Sequence, residues 1–299
     1  MTSLYGSLQA MVYYVEENLK SKVTLDDLAR KTNISKYHLS RIFREVSKTS
    51  PMSYIRKRKL SSSLHELLNT DLKIIDISME YGFEFEQSYI RSFTHTFGIS
   101  PDRYRREKPS VKIQDTLNLD YVKQIGEDGI ALNPPIVIRP GFFLTGVRHK
   151  IFERDDRLLH EANRAGNEFY MNRRHEIQNA VNDDVYFGYV ENDVNDPSYN
   201  YYTPSLQVKG PNPVPDGMVC HKVPTHKYAM FKYIGLHHAM HTNINNLMDT
   251  LRYIYGEWFP KSGYVQAAPY HFERIDGTIT REDYCEVEIY IPVARGQQG

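Results

Sequence analysis

Hydrophobic positions in the first hundred residues recur at the three- and four-residue spacing of amphipathic helices. The pattern predicts a first helix over residues 7–19, with an apolar stripe of Leu8, Met11, Val12, Val15 and Leu19. A later helix has buried positions at i, i+3, i+4 and i+7, namely Leu39, Ile42, Phe43 and Val46. The outward side of that helix is therefore left polar and basic, with Lys36, Tyr37, Ser40, Arg41 and Arg44.

Start and stop signals place a short helix immediately before this one. Thr24 is a typical N-cap residue for the short helix, and Ser35 is one for the helix that follows. Asn33 lies between them, where a left-handed backbone conformation costs an asparagine little. Two short helices around a tight turn, the second with a basic outer side, are typical of a helix-turn-helix.

The same pattern returns fifty residues later. The stretch "HLSRIFREVSKTSPMSYIR" from His38 aligns with "SYIRSFTHTFGISPDRYRR" from Ser88, so that Arg41 matches Arg91. A repeat at fixed spacing indicates one supersecondary unit used twice. In the second copy we expect a turn at Gly82. The outward positions of its second helix are Glu86, Gln87, Ser88, Ile90 and Arg91.

A further helix is predicted between the two copies. It begins at Pro51, and one face can be formed by Ile55, Leu60, Leu64, Leu67 and Leu68. Eighteen helical residues span about 27 Å, close to the spacing of about 34 Å between major-groove segments one turn apart. One chain could therefore hold two reading helices in neighbouring grooves.

Composition and charge narrow the class of protein. The chain has 299 residues, 40% hydrophobic and 25% charged, as in ordinary soluble proteins. Its net charge of zero divides into 18 Lys/Arg against 13 Asp/Glu in residues 1–109 and an acidic remainder, which suggests that the first part faces a polyanion. No signal segment or long apolar run is evident, so we expect a cytoplasmic protein without a membrane partner.

The pattern changes after residue 109. Residues 110–132 are predicted to form a linker, and residues 133–299 follow the order strand, strand, helix, strand, strand twice. The helix of the first half covers "DRLLHEANRAGNEFYMNRRHEI", from Asp156. The predicted fold is therefore an all-α double helix-turn-helix domain, residues 1–109, followed by an α+β domain of duplicated halves.

The last strand, "CEVEIYIPV", carries the strongest chemical signal of this second domain. Val287, Ile289 and Ile291 share one face, which we expect under a helix, so Glu288 and Tyr290 share the other. If that other face lines a cleft of tyrosines, its carboxylate suits organic cations. If it faces bulk solvent, nothing follows.

The first domain resembles the DNA-binding domain of AraC/XylS-family bacterial transcription regulators. The resemblance covers about residues 5–107 and includes the GF turn, an RxF in each reading helix and the closing SPxxYR. It implies that the base-facing positions are Lys36, Tyr37, Ser40, Arg41, Glu86, Gln87, Ser88 and Arg91. Arginine can pair with guanine and glutamine with adenine, whereas Glu86 departs from the neutral polar residue expected there.

The second domain resembles the GyrI-like effector-binding domain. The matching motifs are "EWFPKSGY", "PYHFERI" and the closing "EVEIYIPV", within residues 133–295. The resemblance implies that Glu288 supplies the acid of a cleft between the halves. As further walls of that cleft we select Tyr290, Trp258, Tyr264, Tyr270, Phe142, Tyr186 and Tyr189.

Other chemistry has little support. His237 and His241 could share a helix face, but no third metal ligand is evident. Cys220 and Cys285 fit a reduced protein. We therefore expect no metal and no cofactor. We predict a sequence-specific transcription regulator that senses a lipophilic molecule, with cations as one candidate class, and not an enzyme. A GyrI-like hydrolase or a ligand-sequestering protein tethered to DNA is the alternative. RNA polymerase stays open as a partner.

Overall fold

The computed structural model of the protein describes residues 3–152, 160–193, 196, 198–242 and 244–296. The chain forms two compact units, Met1–Tyr121 and Val122–Gly299. Their boundary falls inside the stretch predicted as a linker. Before the boundary, the Gln114 amide donates to Ser61 Oγ at 2.9 Å, and after it the chain forms the first two strands of the second unit.

The first unit is helical, which confirms the predicted class. Its helices are α1 Leu4–Glu17, α2 Leu25–Thr32, α3 Lys36–Ser47, α4 Pro51–Asn69, α5 Ile74–Glu80, α6 Glu86–Phe97 and α7 Pro101–Glu107. Helices α2 and α3 form the first helix-turn-helix copy, and α5 and α6 form the second. Among the described residues, no helix is both long and apolar enough to cross a bilayer.

The predicted caps of the first copy are present. Thr24 Oγ1 accepts a hydrogen bond from the Asp27 amide, and the Asp27 carboxylate accepts one from the Thr24 amide, which completes a capping box. Asn33 has φ 55° in the turn, and Ser35 Oγ accepts from the His38 amide at the start of α3. Local hydrogen bonds are therefore present at the first residues of both α2 and α3, where the sequence predicts that these helices begin.

Helix α4 is the predicted connection between the copies. Ser50 caps it, Pro51 occupies its first turn, and Leu60, Leu64 and Leu67 pack with the second copy. Leu68 differs from the predicted apolar face, because it is 37% exposed. In place of an entirely apolar face, α4 also buries the polar side chains of Lys59, Ser63 and Glu66.

The second unit is built on one large antiparallel sheet. The order of its main path is β1-β2-β9-β12-β11-β6-β7-β4-β8, and β3, β5 and β10 pair with β9, β7 and β12. The strands are β1 Val122–Ile125, β2 Gly129–Leu132, β3 Ile136–Arg139, β4 Phe142–Gly146, β5 His149–Phe152, β6 Val185–Asn192, β7 Tyr199–Val208, β8 Val219–Val223, β9 His226–Gly235, β10 Tyr264–Gln266, β11 Tyr270–Asp276 and β12 Cys285–Arg295.

The helices of this unit interrupt the strands once in each half, as the duplicated pattern predicts. They are α8 Glu161–Glu168, extended by a π-helical segment Phe169–Arg173, then α9 Ile244–Tyr253, extended by a π-helical segment Ile254–Trp258, and α10 Phe259–Ser262. Short 3₁₀ turns cover Arg174–Glu176 and Ala239–His241. Of the predicted first-half helix, residues 156–159 lie outside the described part of the chain.

The two faces of the sheet have different coverings. Val287, Ile289 and Ile291 of β12 form a core against Leu247 and Leu251 of α9, so this is the helix-bearing face. The opposite face, called here the inner face, carries a cluster of aromatic rings. The chain passes from β8, at one end of the sheet path, to β9 through two residues only, so the sheet curves around the inner face.

Candidate functional site

Helix α3 presents the predicted basic surface. Leu39, Ile42 and Phe43 are fully buried, which turns the remaining sides of the helix outward. None of the five predicted DNA-contacting residues is buried: Lys36, Tyr37 and Arg44 are exposed, and Ser40 and Arg41 are half-buried. Lys36 Nζ lies 2.8 Å from Asp26 Oδ1 of α2, an ion pair that the sequence pattern did not indicate.

Helix α6 repeats this arrangement in the second copy. Tyr89 and Phe93 are fully buried. Of the predicted contacts, Gln87, Ser88 and Arg91 are exposed and Glu86 is half-buried. Each copy thus carries polar side chains on the open side of its second helix, as base reading requires.

A cavity of about 900 Å³ opens on the helix-bearing face of the second unit. Its walls come from both halves: α8 supplies Ala162 and Gly166, and α9 supplies Leu247, Met248 and Leu251. This volume lies at the upper end of the roughly 300 to 1,000 Å³ that small-molecule sites occupy.

Two asparagines of α8 join the walls of the cavity. The Asn163 side-chain amide donates to the carbonyls of Met240 at 3.3 Å and Thr242 at 2.6 Å. The Asn167 amide donates to the same Met240 carbonyl at 3.3 Å. Helix α8 of the first half is therefore tied to the turn that precedes α9 of the second.

A buried carboxylate forms part of the cavity wall. Glu273 of β11 is 7% exposed and lies opposite Gly188 of β6 in the strand register. A Cβ atom on Gly188 would come within 3.1 Å of Glu273 Oε2 and 3.0 Å of the Tyr202 ring. A glycine at this position therefore leaves room for the carboxylate beside the phenol.

Tyrosines supply the aromatic part of the wall. The hydroxyls of Tyr186 and Tyr202 hydrogen-bond to each other, and Tyr170 and Tyr255 also line the cavity. Burial raises the pKa of Tyr186, so its phenol stays neutral. The site therefore combines neutral aromatic rings and aliphatic side chains with two acids, Glu273 and Asp193, of which Asp193 is paired with Lys150 Nζ at 3.3 Å.

His271 lies on the same strand face, two residues before Glu273. It is 9% exposed, and burial lowers its pKa to about 4 from an ordinary value of 6.5. The folded protein therefore holds a neutral imidazole against the cavity at neutral pH.

We expect this histidine to make the second unit sensitive to acid. Since the unfolded chain takes up a proton near pH 6.5 and the folded one does not until about pH 4, stability falls as the pH drops through this window, by about 2 kcal/mol between pH 7 and pH 5. His271→Gln should remove this part of the loss. Thermal melting of both proteins at the two pH values measures it, and an equal acid shift would contradict the assignment.

The structure places Glu288 away from this cavity. It lies on the inner face, where Tyr290 Oη donates to Glu288 Oε2 at 2.9 Å and Arg274 Nη1 does so at 3.3 Å. The expected alternation of β12 is correct, but the cavity opens on the helix-bearing face rather than the opposite one. The glutamate in the wall of this cavity is therefore Glu273, not Glu288.

Most of the predicted wall residues also lie elsewhere. Tyr290, Phe142, Tyr189 and Tyr270 belong to the aromatic cluster of the inner face. Trp258 and Tyr264 stack with ring centroids 6.0 Å apart and pack on the core under α9. Of the residues selected from the sequence, Tyr186 lines the cavity.

The aromatic cluster of the inner face already holds a cation of the chain itself. The Arg139 guanidinium carbon lies 4.5 Å from the ring centroid of Phe142, 5.1 Å from that of Tyr290 and 5.4 Å from that of Phe272. These are cation–π distances. Several of the rings that we expected to contact a ligand thus surround the side chain of Arg139.

The histidines near α9 take hydrogen bonds within the fold. His237 Nε2 pairs with the Tyr233 hydroxyl at 2.9 Å, and the His238 ring accepts from the Met240 amide at 3.1 Å. Over the described ranges, His, Cys, Asp and Glu side chains do not gather in groups of three that could hold a metal ion.

Family models match both units. Residues 28–107 match the model described as a helix-turn-helix domain. Residues 135–293, more than half of the chain, match the model described as an integron-associated effector binding protein. The two matches fall on separate units and follow the order of the fold.

Individual proteins are similar over one unit at a time. The transcriptional activator AarP of Providencia stuartii is 36% identical over 98 residues, 33% of this chain and 73% of AarP. The right origin-binding protein of Escherichia coli K12 is 36% identical over 101 residues, 34% of this chain and 35% of that protein. A solved integron cassette protein from Vibrio cholerae is 19% identical, with TM-score 0.40, over 54% of this chain and 96% of its own.

Proposed function

This chain belongs to the AraC-type transcription regulators and, through its second unit, to the integron-associated effector-binding proteins, and we propose that the cavity above Glu273 is its effector site. The first unit binds DNA and the second senses a small molecule. A regulator of this kind works on chromosomal DNA, so its place is the bacterial cytoplasm.

The composition of the cavity wall carries the proposal about the ligand. Aliphatic side chains such as Leu247 and Leu251 offer apolar surface, and Tyr186 and Tyr202 offer ring faces. Glu273 adds a buried carboxyl group. Rings and a carboxylate in the wall of one cavity together attract lipophilic cations.

Arg252 also lines the cavity, but its positive charge does not offset the preference for cations. Arg252 is exposed, and its guanidinium pairs with Asp249 Oδ1 at 2.7 Å on the same helix. A screened surface pair of this kind contributes little to the field in the cavity.

For the first unit, we propose that Arg41 and Arg91 read bases, together with Gln87. The remaining outward residues of both helices, Lys36, Tyr37, Ser40, Arg44, Glu86 and Ser88, contact bases or phosphates. Because phosphate contacts release counterions, affinity for DNA should fall steeply with salt. RNA polymerase is a proposed further partner.

One pair of measurements tests this function. A duplex selected from random DNA by the full-length protein tests DNA reading, and thermal melting with tetraphenylphosphonium tests the cavity. A ligand at 100 times its dissociation constant should stabilise the protein by about 2.7 kcal/mol.

The outcomes separate the candidate functions. Failure to select any sequence would contradict regulation through base reading. Breakdown of an ester probe at the cavity would favour the hydrolase, and melting unchanged by a panel of lipophilic cations would contradict the proposed effector class. We propose sensing rather than catalysis, because the cavity is joined to a DNA-binding unit.

A further inference from the structure

The connecting helix α4 buries a row of polar side chains beside its leucines. Lys59, Ser62, Ser63 and Glu66 are spaced at i, i+3, i+4 and i+7, so they lie along one side of the helix. Lys59 is 6% exposed, Ser63 is fully buried and Glu66 is 9% exposed. Burying so many polar groups in a connector is costly unless each has a partner.

Lys59 contacts the backbone beside both helix-turn-helix copies. Its ammonium donates to the carbonyl of Ser21 at 2.6 Å and to the carbonyl of Tyr81 at 2.9 Å. Ser21 lies in the loop that leads into the first helix-turn-helix copy, and Tyr81 ends α5 in the second. Burial lowers the pKa of Lys59, because an ammonium group is less favourable where water is excluded.

The backbones of the two copies also approach each other at this point. Gly82 has φ 70°, and a Cβ atom there would lie 3.0 Å from Lys59 Nζ and 3.1 Å from the carbonyl oxygen of Ser21. A side chain at residue 82 would therefore collide with the loop before the first copy. It would also strain the backbone, because a positive φ disfavours residues other than glycine.

A second set of contacts surrounds the same junction. Lys20 Nζ lies 2.8 Å from Glu66 Oε1 and 2.6 Å from Glu80 Oε1, and the Tyr81 hydroxyl donates to Glu66 Oε2 at 2.7 Å. These groups come from the α1–α2 loop, from α4 and from the end of α5. The two copies are thus joined by a polar network, in which Lys59 donates to the carbonyls of Ser21 and Tyr81.

We propose that Lys59 is a positioning residue for DNA recognition, which holds the first helix-turn-helix copy against the second so that both bind one duplex together. The inference rests on the proposed DNA-reading function. Two linked modules gain affinity from each other only when their link keeps them at the spacing of their sites. A clamp between the copies supplies that spacing, whereas an added surface cation supplies only attraction to phosphate.

The test compares binding to the whole selected duplex with binding to a duplex in which one of its two segments is scrambled. In the full-length protein, Lys59→Met should lower the whole-to-half affinity ratio by about 10- to 100-fold. Probes with one base pair inserted between the segments should then bind nearly as well as the original. Lys57→Met removes the same charge from an exposed position two residues away and should leave the ratio unchanged.

Three further measurements keep the result interpretable. Lys59→Arg retains donors for both carbonyls, so its whole-to-half affinity ratio should lie between those of Lys59→Met and the unaltered protein. Gly82→Ala separates the same backbones with Lys59 in place and should lower the ratio in the same way, even if Lys59→Met does not fold. Selection of a duplex by the unaltered protein tests the proposed function separately. An unchanged ratio in Gly82→Ala or in folded Lys59→Met protein would overturn the role of Lys59.

Discussion

Arg91→Ala is expected to weaken binding to the selected duplex by about 1 to 3 kcal/mol and to remove the preference at one base pair. Arg91 is exposed on α6, where its guanidinium can reach two acceptors of a guanine. Arg41→Ala should do the same at a different base pair. Because the two arginines lie in separate copies, the double variant should lose about 2 to 6 kcal/mol.

Binding to a panel of duplexes with single base changes measures this prediction. Arg164→Ala is the control, because Arg164 is an exposed arginine of the second unit, with a side chain 70% accessible. Equal weakening on every duplex would mean that Arg41 and Arg91 contact phosphates only, and would contradict base reading.

The second large effect is expected in the cavity. Glu273→Gln should weaken tetraphenylphosphonium binding by about 2 to 5 kcal/mol, because the substitution removes a buried opposite charge and keeps the shape of the side chain. Affinity for DNA without ligand should not change, since the altered residue belongs to the second unit. Titration calorimetry measures the first quantity and a mobility-shift titration the second.

Glu288→Gln is the matched control for this experiment. Glu288 is a half-buried glutamate of the same sheet, but it binds Arg274 and Tyr290 on the inner face. Its substitution should leave cation binding unchanged. The reverse result, a loss with Glu288→Gln and none with Glu273→Gln, would move the ligand site to the inner face. Neutral triphenylphosphine oxide should bind the Glu273 variant as it binds the original protein.

Much of the first unit could be predicted from the sequence because its signals are local. A cap such as Thr24 acts on an amide three residues away, and Asn33 adopts φ 55° within its own turn. The apolar positions of α3 and α6 repeat with the helical period, so their outward residues follow directly. Lys59 could not be predicted, because its partners lie 38 and 22 residues away.

The position of the cavity was harder to predict, because a strand has two faces and the sequence does not say which one a cavity adjoins. Alternation on β12 correctly separates Ile289 from Glu288, but alternation cannot tell which face of a sheet opens into a cavity. That depends on the gap between α8 and α9, a packing property of the whole unit. A signal for the glutamate of the cavity wall was present in "YHFERID", where His271 and Glu273 alternate with buried aromatic residues.

The pairing of Glu273 with Gly188 has a consequence for what the cavity can distinguish. Duplication of a half would have given a symmetric floor, but here a carboxylate on one side faces a hydrogen atom on the other. The missing side chain lets the Glu273 carboxylate and the Tyr202 phenol share one side of the cavity, so that a bound cation meets both at once.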